Sequence, residues 1–466
     1  MKLTFYNSLI ITFSLAITTL SANAQNPVIH TCFSTDPAPM VYGDRVYVFT
    51  GHDEEGADFF WMNEWRLFSS ADMVNWTDHG CPLAQGDLSW ADDRAWAPQC
   101  IERNGKFYLY VPVHSRISRG MAIGVAVADK IEGPYKDPLG KPLFENGSWD
   151  HIDPTVMIDA DGQAYLYWGN PRLYSVKLNE DMISLASEVK CDTTVRRYTE
   201  GPWIMKQRPA TKEEQKAMKA QKIKKSYWGK YFMVYAAGGV PECIAYSVSD
   251  NPQGPWEYVG EVMPQSNDTQ SFTNHSGTVT FKDHNYFFYH TGWLPGGGGF
   301  ARSVSVEEFQ WNPDGSFPTI TAHKEGVKPI GTLNPYVRVE AETIANSKGV
   351  KSEWNKKHGV VFLSDIQNGD WTSVREVELK PSTSSVTVRA ASGLQGGTIE
   401  IHLGSERGQV IASVKVAPTG GWEEWEEFTA PVRLPADFNA QTSDLYFMYK
   451  GLKGCKLFNF DWWQFK

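Results

Sequence analysis

The stretch DPAPMVYGDRVYVFTG, residues 36–51, starts on Asp-Pro, runs through alternating apolar residues to a Gly-Asp turn and returns along an aromatic strand. Alternation on both sides of a short polar turn is the pattern of a β-hairpin. The plan recurs as APQCIERNGKFYLYVPVH at 97–114, DPTVMIDADGQAYLYWG at 153–169 and NHSGTVTFKDHNYFFYHTGW at 274–293. A split copy reads EGPWIMK at 200–206 and resumes as SYWGKYFMVYAAGG at 226–239. Each copy is followed by a second type of hairpin, as in RLFSSADMVNWTDHG at 66–80 and IAYSVSDNPQGPWEYVG at 244–260. Five inner and five outer hairpins make five four-stranded units, and radial repetition of short sheets is how a propeller limits exposed edges. The chain reads as all-β, with a five-bladed β-propeller over residues 25–325.

Outside the repeat the pattern changes twice. Residues 206–230, KQRPATKEEQKAMKAQKIKKSYWGK, carry Ala, Lys, Glu and Gln at helical density and read as a helical excursion beside the functional site. Residues 326–335 read as a linker. From 336 to 466 a new alternation begins, including SSVTVRAAS, GTIEIHLGS and SDLYFMYKG, and implies a β-sandwich of jelly-roll type. PGGGGF at 295–300 lacks the lysine and following helix of a phosphate loop and reads as a rim loop.

The first 24 residues combine a lysine, an apolar run and a small-residue ANA site before Gln25, the signature of a secretory signal peptide. The expected location is therefore periplasmic or secreted, with no membrane span. A net charge of −10 gives no footing to nucleic-acid binding. Six cysteines without C-x-x-C spacing exclude the common zinc patterns and leave disulfides open. Eighteen tryptophans exceed what a core requires, and ring-rich surfaces suit sugar faces.

Asp36, Asp153 and Glu200 each fall at the entry to the first strand of a repeat, and first strands line a propeller's channel. Trp96, Trp168, Trp203 and Trp293 stand near these entries as candidate sugar-stacking rings. Carboxylates in a ring-lined pocket suit glycoside hydrolysis, where one acid protonates the leaving group and another activates water. A third carboxylate raises the pKa of the acid by its charge.

The ordered set STDPAPM, WAPQC, HIDPTVMID, YTEGPWI and NHSGTV resembles family 43 glycoside hydrolases over residues 27–320. The resemblance implies a five-bladed propeller acting by inversion on arabinofuranosides or xylosides. It assigns Asp36 as general base, Glu200 as general acid and Asp153 as the group that tunes pKa and orientation. By the same resemblance His275 stands in the channel, beside calcium in many members, and Arg302 touches the sugar. VEAE, NGDW, GGWEEW and LFNFDWWQF resemble family 6 carbohydrate-binding modules, which implies structural calcium at Glu340, Glu342 and Asp461. There Asn459 fits the sugar-binding asparagine and Trp422 or Trp425 one ring, while Phe362 replaces the usual early tyrosine.

The expected protein is thus an arabinofuranosidase acting as a monomer on plant polysaccharide, with no cofactor required for the chemistry. A β-xylosidase or endo-arabinanase is the alternative within the family, and a non-catalytic carbohydrate-binding propeller the alternative outside it.

Overall fold

The computed structural model describes residues 26–355 and 359–466, so the leader at 1–24 lies outside the described residues. Five antiparallel sheets follow one another along the first two thirds of the chain. The first contains Thr35–Tyr42, Arg45–Gly51, Glu64–Ser70 and Trp76–Asp78, and the second Gln99–Arg103, Lys106–Ser115 and Met121–Ala128. Thr155–Ile158, Ala164–Trp168, Leu173–Lys177 and Lys190–Asp192 form the third. Tyr198–Lys206, Tyr231–Ala237, Cys243–Ser249 and Glu257–Met263 form the fourth, and Gly277–Phe281, His284–Thr291 and Ser303–Phe309 the fifth. These are the blades of a five-bladed propeller.

Inner strands such as Ala164–Trp168 and Tyr231–Ala237 are buried at every position. A strand covered on both faces carries a continuous apolar run, and here the covers are the adjacent blades. Tyr110, Ile123, Leu166 and Trp168 pack between blades two and three, and Tyr167, Ile204, Met233 and Tyr235 between three and four. Val46, Val48, Phe68, Tyr286, Phe288 and Val304 pack blade five against blade one, which closes the ring.

Two blades depart from the four-stranded plan. The outer edge of blade two is reduced to isolated bridges, Val127 with Lys136 and Ile123 with Phe144. Blade five has three strands, and the first described residues take the fourth place: Val28 N–H donates to Val304 O at 2.8 Å, and Ser34 N–H to Arg302 O at 2.9 Å. Asn26 locks this seam. Its amide donates to Val306 O at 3.0 Å and His323 O at 2.8 Å, while its carbonyl accepts Val306 N–H at 3.0 Å.

The second module is a β-sandwich. One sheet runs Lys351–Asn355, Val360–Ser364, Asn459–Phe465, Ser385–Ala391 and Glu426–Pro431. The other runs Asn346–Lys348, Trp371–Glu378, Thr442–Lys450, Gly397–Leu403 and Val410–Val416. Val388, Ile401, Phe447, Phe460 and Trp463 fill the space between. The two modules are knitted together. Thr343–Ile344 pairs with the outer strand of blade one, Asn75 exchanges hydrogen bonds with the Arg375 backbone, and Ile330 N–H donates to Asp72 O in the connecting segment.

The helical excursion is confirmed in type and corrected in place. Lys212–Ala220 is an α-helix, capped by Thr211, with no buried residue. It leaves the far end of Tyr198–Lys206, whose near end carries Glu200. Six residues of strand, about 20 Å, separate the two, so the excursion lies at the end of the propeller away from the acids.

Asn26→Ala strips partners from the buried carbonyl and amide of Val306 and from the His323 carbonyl at the ring closure. The expected loss is about 2–4 kcal/mol of unfolding free energy, read as a lower urea midpoint at unchanged m-value.

Candidate active site

In the sequences DP, DP and GP that open blades one, three and four, the residue before proline is in the left-handed region: Asp36 at φ 52°, Asp153 at φ 58° and Gly201 at φ 59°. Residues before proline are normally extended, and aspartate tolerates the left-handed region better than most side chains. Each such aspartate costs of order 1–3 kcal/mol of backbone strain. Blade four puts glycine at this position because a Cβ there would stand 3.0 Å from His275 Nδ1. Its acid, Glu200, comes one residue earlier. The three acids are therefore not register equivalents as their spacing suggests, and the longer glutamate makes up for the offset.

All three acids line one cavity of about 280 Å³ at the starts of the innermost strands. Phe59, Phe60, Trp96 and Phe272 form its aromatic wall, and Asn170, Glu242, Thr273, His275 and Arg302 supply polar groups. The Phe60 ring centre lies 4.8 Å from that of Phe300 and 6.1 Å from that of Phe272, and the Arg302 guanidinium sits 4.8 Å over Phe60.

The acids face different surroundings. Burial alone would raise the Asp36 carboxyl, but the charge of Arg302 and the hydrogen bond from His290 outweigh it and hold the group well below the usual carboxylate range. Arg302 Nη1 and His290 Nδ1 lie 3.2 and 3.1 Å from Asp36 Oδ1. Glu200 has Asn170 Nδ2 as a donor. Burial, with the charge of Asp36, nevertheless lifts it to about 7. Asp153 accepts the Gly201 N–H at 3.0 Å and is pushed well up by burial and by the charges of Glu200 and Asp36. Asp153 and Glu200 share this buried space, so the charge of either carboxylate opposes ionisation of the other. Burial holds His275 down to about 4, so it is neutral at pH 7.

Arg302 is the cation of this constellation. Asp53, fully buried, accepts from its Nε at 2.9 Å, its Nη2 at 3.0 Å and its backbone N–H at 2.9 Å. His290 Nε2 lies 3.0 Å from Thr273 O, a contact that holds the ring with Nδ1 toward Asp36.

Of the expected residues, Trp96, His275 and Arg302 line the cavity with the acids, whereas three tryptophans do not. Trp168 is fully buried, stacks on Tyr174 and donates to His151 Nδ1 at 2.9 Å. Trp203 packs in the core between blades. Trp293 donates to Asp268 O at 2.6 Å beyond the cavity. Glu242, Asp53, His290, Asn170 and the phenylalanine wall were not anticipated.

For metals, among the described residues no set of three protein ligand atoms gathers around His275. Among the described residues, the group whose ligand atoms fall within 4.8 Å of one another is Asp92, Asp93 and His114, where His114 and Arg119 pair with Asp92. In the sandwich, Glu342 Oε2 and Asp461 Oδ1 are buried without a hydrogen-bond partner, and Arg338 pairs with both Glu340 and Asp461. Unsatisfied carboxylate oxygens fit the donor chemistry of calcium. Glu340 and Glu342 also border a cleft of about 1010 Å³ between the modules, which contains none of the three acids. At the sandwich's candidate sugar surface, Asn459 is buried and donates to Trp422 O at 2.8 Å, and Phe362 meets Trp425 edge-on at 5.3 Å.

Asp53→Ala leaves a buried guanidinium without its main partner, and about 3–5 kcal/mol of stability is expected to go with it. Chemical denaturation measures the loss, and Asp53→Asn is expected to fall between the two.

Residues 24–317 match the family model of glycosyl hydrolases family 43, and residues 340–466 that of carbohydrate binding module family 6. An arabinoxylan arabinofuranohydrolase of Paenibacillus polymyxa is 31% identical over 94% of this chain and 74% of its own length. One of Bacillus subtilis (strain 168) is 31% identical over 94% of this chain and 92% of its own. The solved structure of a glycoside hydrolase family 43 arabinoxylan arabinofuranohydrolase from Bacillus subtilis, in complex with cellotetraose, matches with a TM-score of 0.80 at 28% identity. It covers 96% of this chain and 98% of that chain.

Proposed function

The chain belongs to family 43 of the glycosyl hydrolases and is a glycoside hydrolase, and we propose that within this family it releases α-L-arabinofuranosyl units from arabinoxylan with inversion. The observation that carries the reading is the split between Asp36 and Glu200 within one small aromatic cavity. Asp36 is a carboxylate throughout the working range and serves as base toward the attacking water. Glu200 still holds its proton near neutrality and gives it to the departing glycosidic oxygen. Arg302 and His290 both bind Oδ1 of Asp36, which leaves Oδ2 for the water. Asp153, bonded to the Gly201 N–H, fixes the turn that carries Glu200.

The rim supports a polymer as the leaving group. Phe59 lines the cavity and its ring centre lies 5.7 Å from that of Trp61. Arg94 lies over both Trp61 and Trp149, at 5.1 and 5.2 Å, and the two tryptophans are 42% and 50% exposed. An exposed ring platform beside a one-sugar pocket suits a side unit in the pocket and a backbone across the rim. The names of the relatives, arabinoxylan arabinofuranohydrolases, favour the same substrate.

We read residues 1–24 as the export signal, with the mature chain in the periplasm or outside the cell, and assign Glu340, Glu342 and Asp461 to a calcium ion that ties the sandwich together. Chelation is expected to lower the melting temperature and calcium to restore it, a response that Glu342→Gln abolishes.

The deciding experiment is sugar release from arabinoxylan, arabinan and xylo-oligosaccharides by wild type, Asp36→Ala and Glu200→Ala. Free arabinose is expected from wild type, first as the inverted anomer by NMR, with activity lower by about 10²–10⁴ in each variant. Xylose as product assigns a β-xylosidase; equal activity in wild type and Glu200→Ala removes Glu200 from the chemistry. Because Glu200 must be protonated and Asp36 is ionised far below neutrality, kcat/KM is expected to hold on the acid side and fall about tenfold per pH unit above about 7.

A further inference from the structure

Glu242 is a fourth carboxyl in the cavity, and the roles of Asp36, Asp153 and Glu200 leave it without one. It ends the loop GGVPE, directly before the third strand of blade four, and is 4% exposed. Two hydrogen bonds set its position. Its backbone N–H donates to Phe272 O at 3.0 Å, and its Oε2 accepts the Asn274 N–H at 2.7 Å. Its other oxygen, Oε1, is buried and has no partner in the protein. Buried polar atoms are nearly always paired, and an exception in a site calls for a partner from outside the chain.

We propose that Glu242 is a substrate-recognition residue whose Oε1 hydrogen-bonds a hydroxyl of the sugar held in the cavity. This rests on the glycosidase reading of the same site. The chemistry of the carboxyl defines the kind of contact. Burial and the charge of Glu200 push it up to about 9, so near neutral pH it is an uncharged acid. An oxygen that accepts an amide N–H is the carbonyl oxygen of such an acid, so the proton belongs on Oε1. Glu242 then donates to a sugar oxygen without adding a further negative charge beside Asp36. The same two bonds also hold the segment carrying Phe272, Thr273 and His275 against blade four.

This makes glutamine the informative substitution. Its carbonyl takes the Asn274 N–H and its NH₂ replaces the O–H donor, whereas leucine keeps the bulk and loses both. The test compares wild type, Glu242→Gln and Glu242→Leu for kcat and KM on 4-nitrophenyl α-L-arabinofuranoside and β-D-xyloside. L-Arabinose and D-xylose binding is measured by calorimetry for the same three proteins, and thermal melting checks that each is folded. Glu242→Leu is expected to raise KM and weaken binding of the preferred sugar at least tenfold, with Glu242→Gln within about threefold of wild type in both. An active wild type whose KM and sugar binding are matched by Glu242→Leu overturns this inference alone. So does a glutamine variant as impaired as the leucine one, since that outcome makes the acid itself, and not the donor, the working group. A wild type that neither cleaves nor binds either sugar overturns the glycosidase reading and this inference with it.

Discussion

The contact on which the rest depends is the buried Arg302 between Asp53 and Asp36. Arg302 precedes the third strand of blade five, while both acids belong to blade one, so one side chain spans the seam where the ring closes. Its backbone takes part as well: the carbonyl accepts Ser34 N–H and the N–H donates to Asp53. A guanidinium suits this place because its planar fork can serve two carboxylates at once, which a lysine ammonium cannot do with fixed geometry. Burying such a charge is tolerable only when its donors are satisfied. Closure of the propeller and the ionised state of Asp36 are therefore one arrangement seen from two sides.

The inter-module contacts give the second constraint. Thr343–Ile344 extends the first blade's sheet, and Asn75, Thr77 and Asp78 bind Arg375, Thr343 and Ser352 through their side chains. The sandwich is thus an extension of blade one, the blade that supplies Asp36, Asp53, Phe59 and Phe60. A carbohydrate-binding module fixed this way presents its surface at a set angle to the cavity, unlike one on a flexible tether.

What the sequence made legible follows from periodicity. Five hairpin copies define the blades, and a strand entry must lie at one end of its blade, which is why Asp36, Asp153 and Glu200 could be named. The same logic was available for the far side of each hairpin and was not applied. In an antiparallel pair the end of the second strand lies beside the start of the first, so residues just beyond Gly51, Gly169 and Gly238 return to the same mouth. Asp53, Asn170 and Glu242 are those residues. The tryptophans misled for a different reason: a large ring fills the gap between blades as readily as it lines a pocket, and nothing in local sequence separates Trp168, in the core, from Trp96, at the site. The register offset at Glu200 was illegible because it depends on His275, 75 residues later in the chain, packing where a Cβ would stand.

Charge counting across the cavity explains why a neutral-pH acid arises here at all. Among the described residues, four carboxyls line it, Asp36, Asp153, Glu200 and Glu242, against the single guanidinium of Arg302. Asp53 already takes two of that guanidinium's donors from behind, so one carboxylate facing the cavity, Asp36, can be compensated. The other three are buried together with no further cation, and like charges in a poorly solvated space cannot all ionise. Their shifts run accordingly upward, with Glu200 below Glu242. The proton that Glu200 carries is thus set by a shortage of cations around it, and placing a lysine in this wall would remove the acid as surely as deleting it.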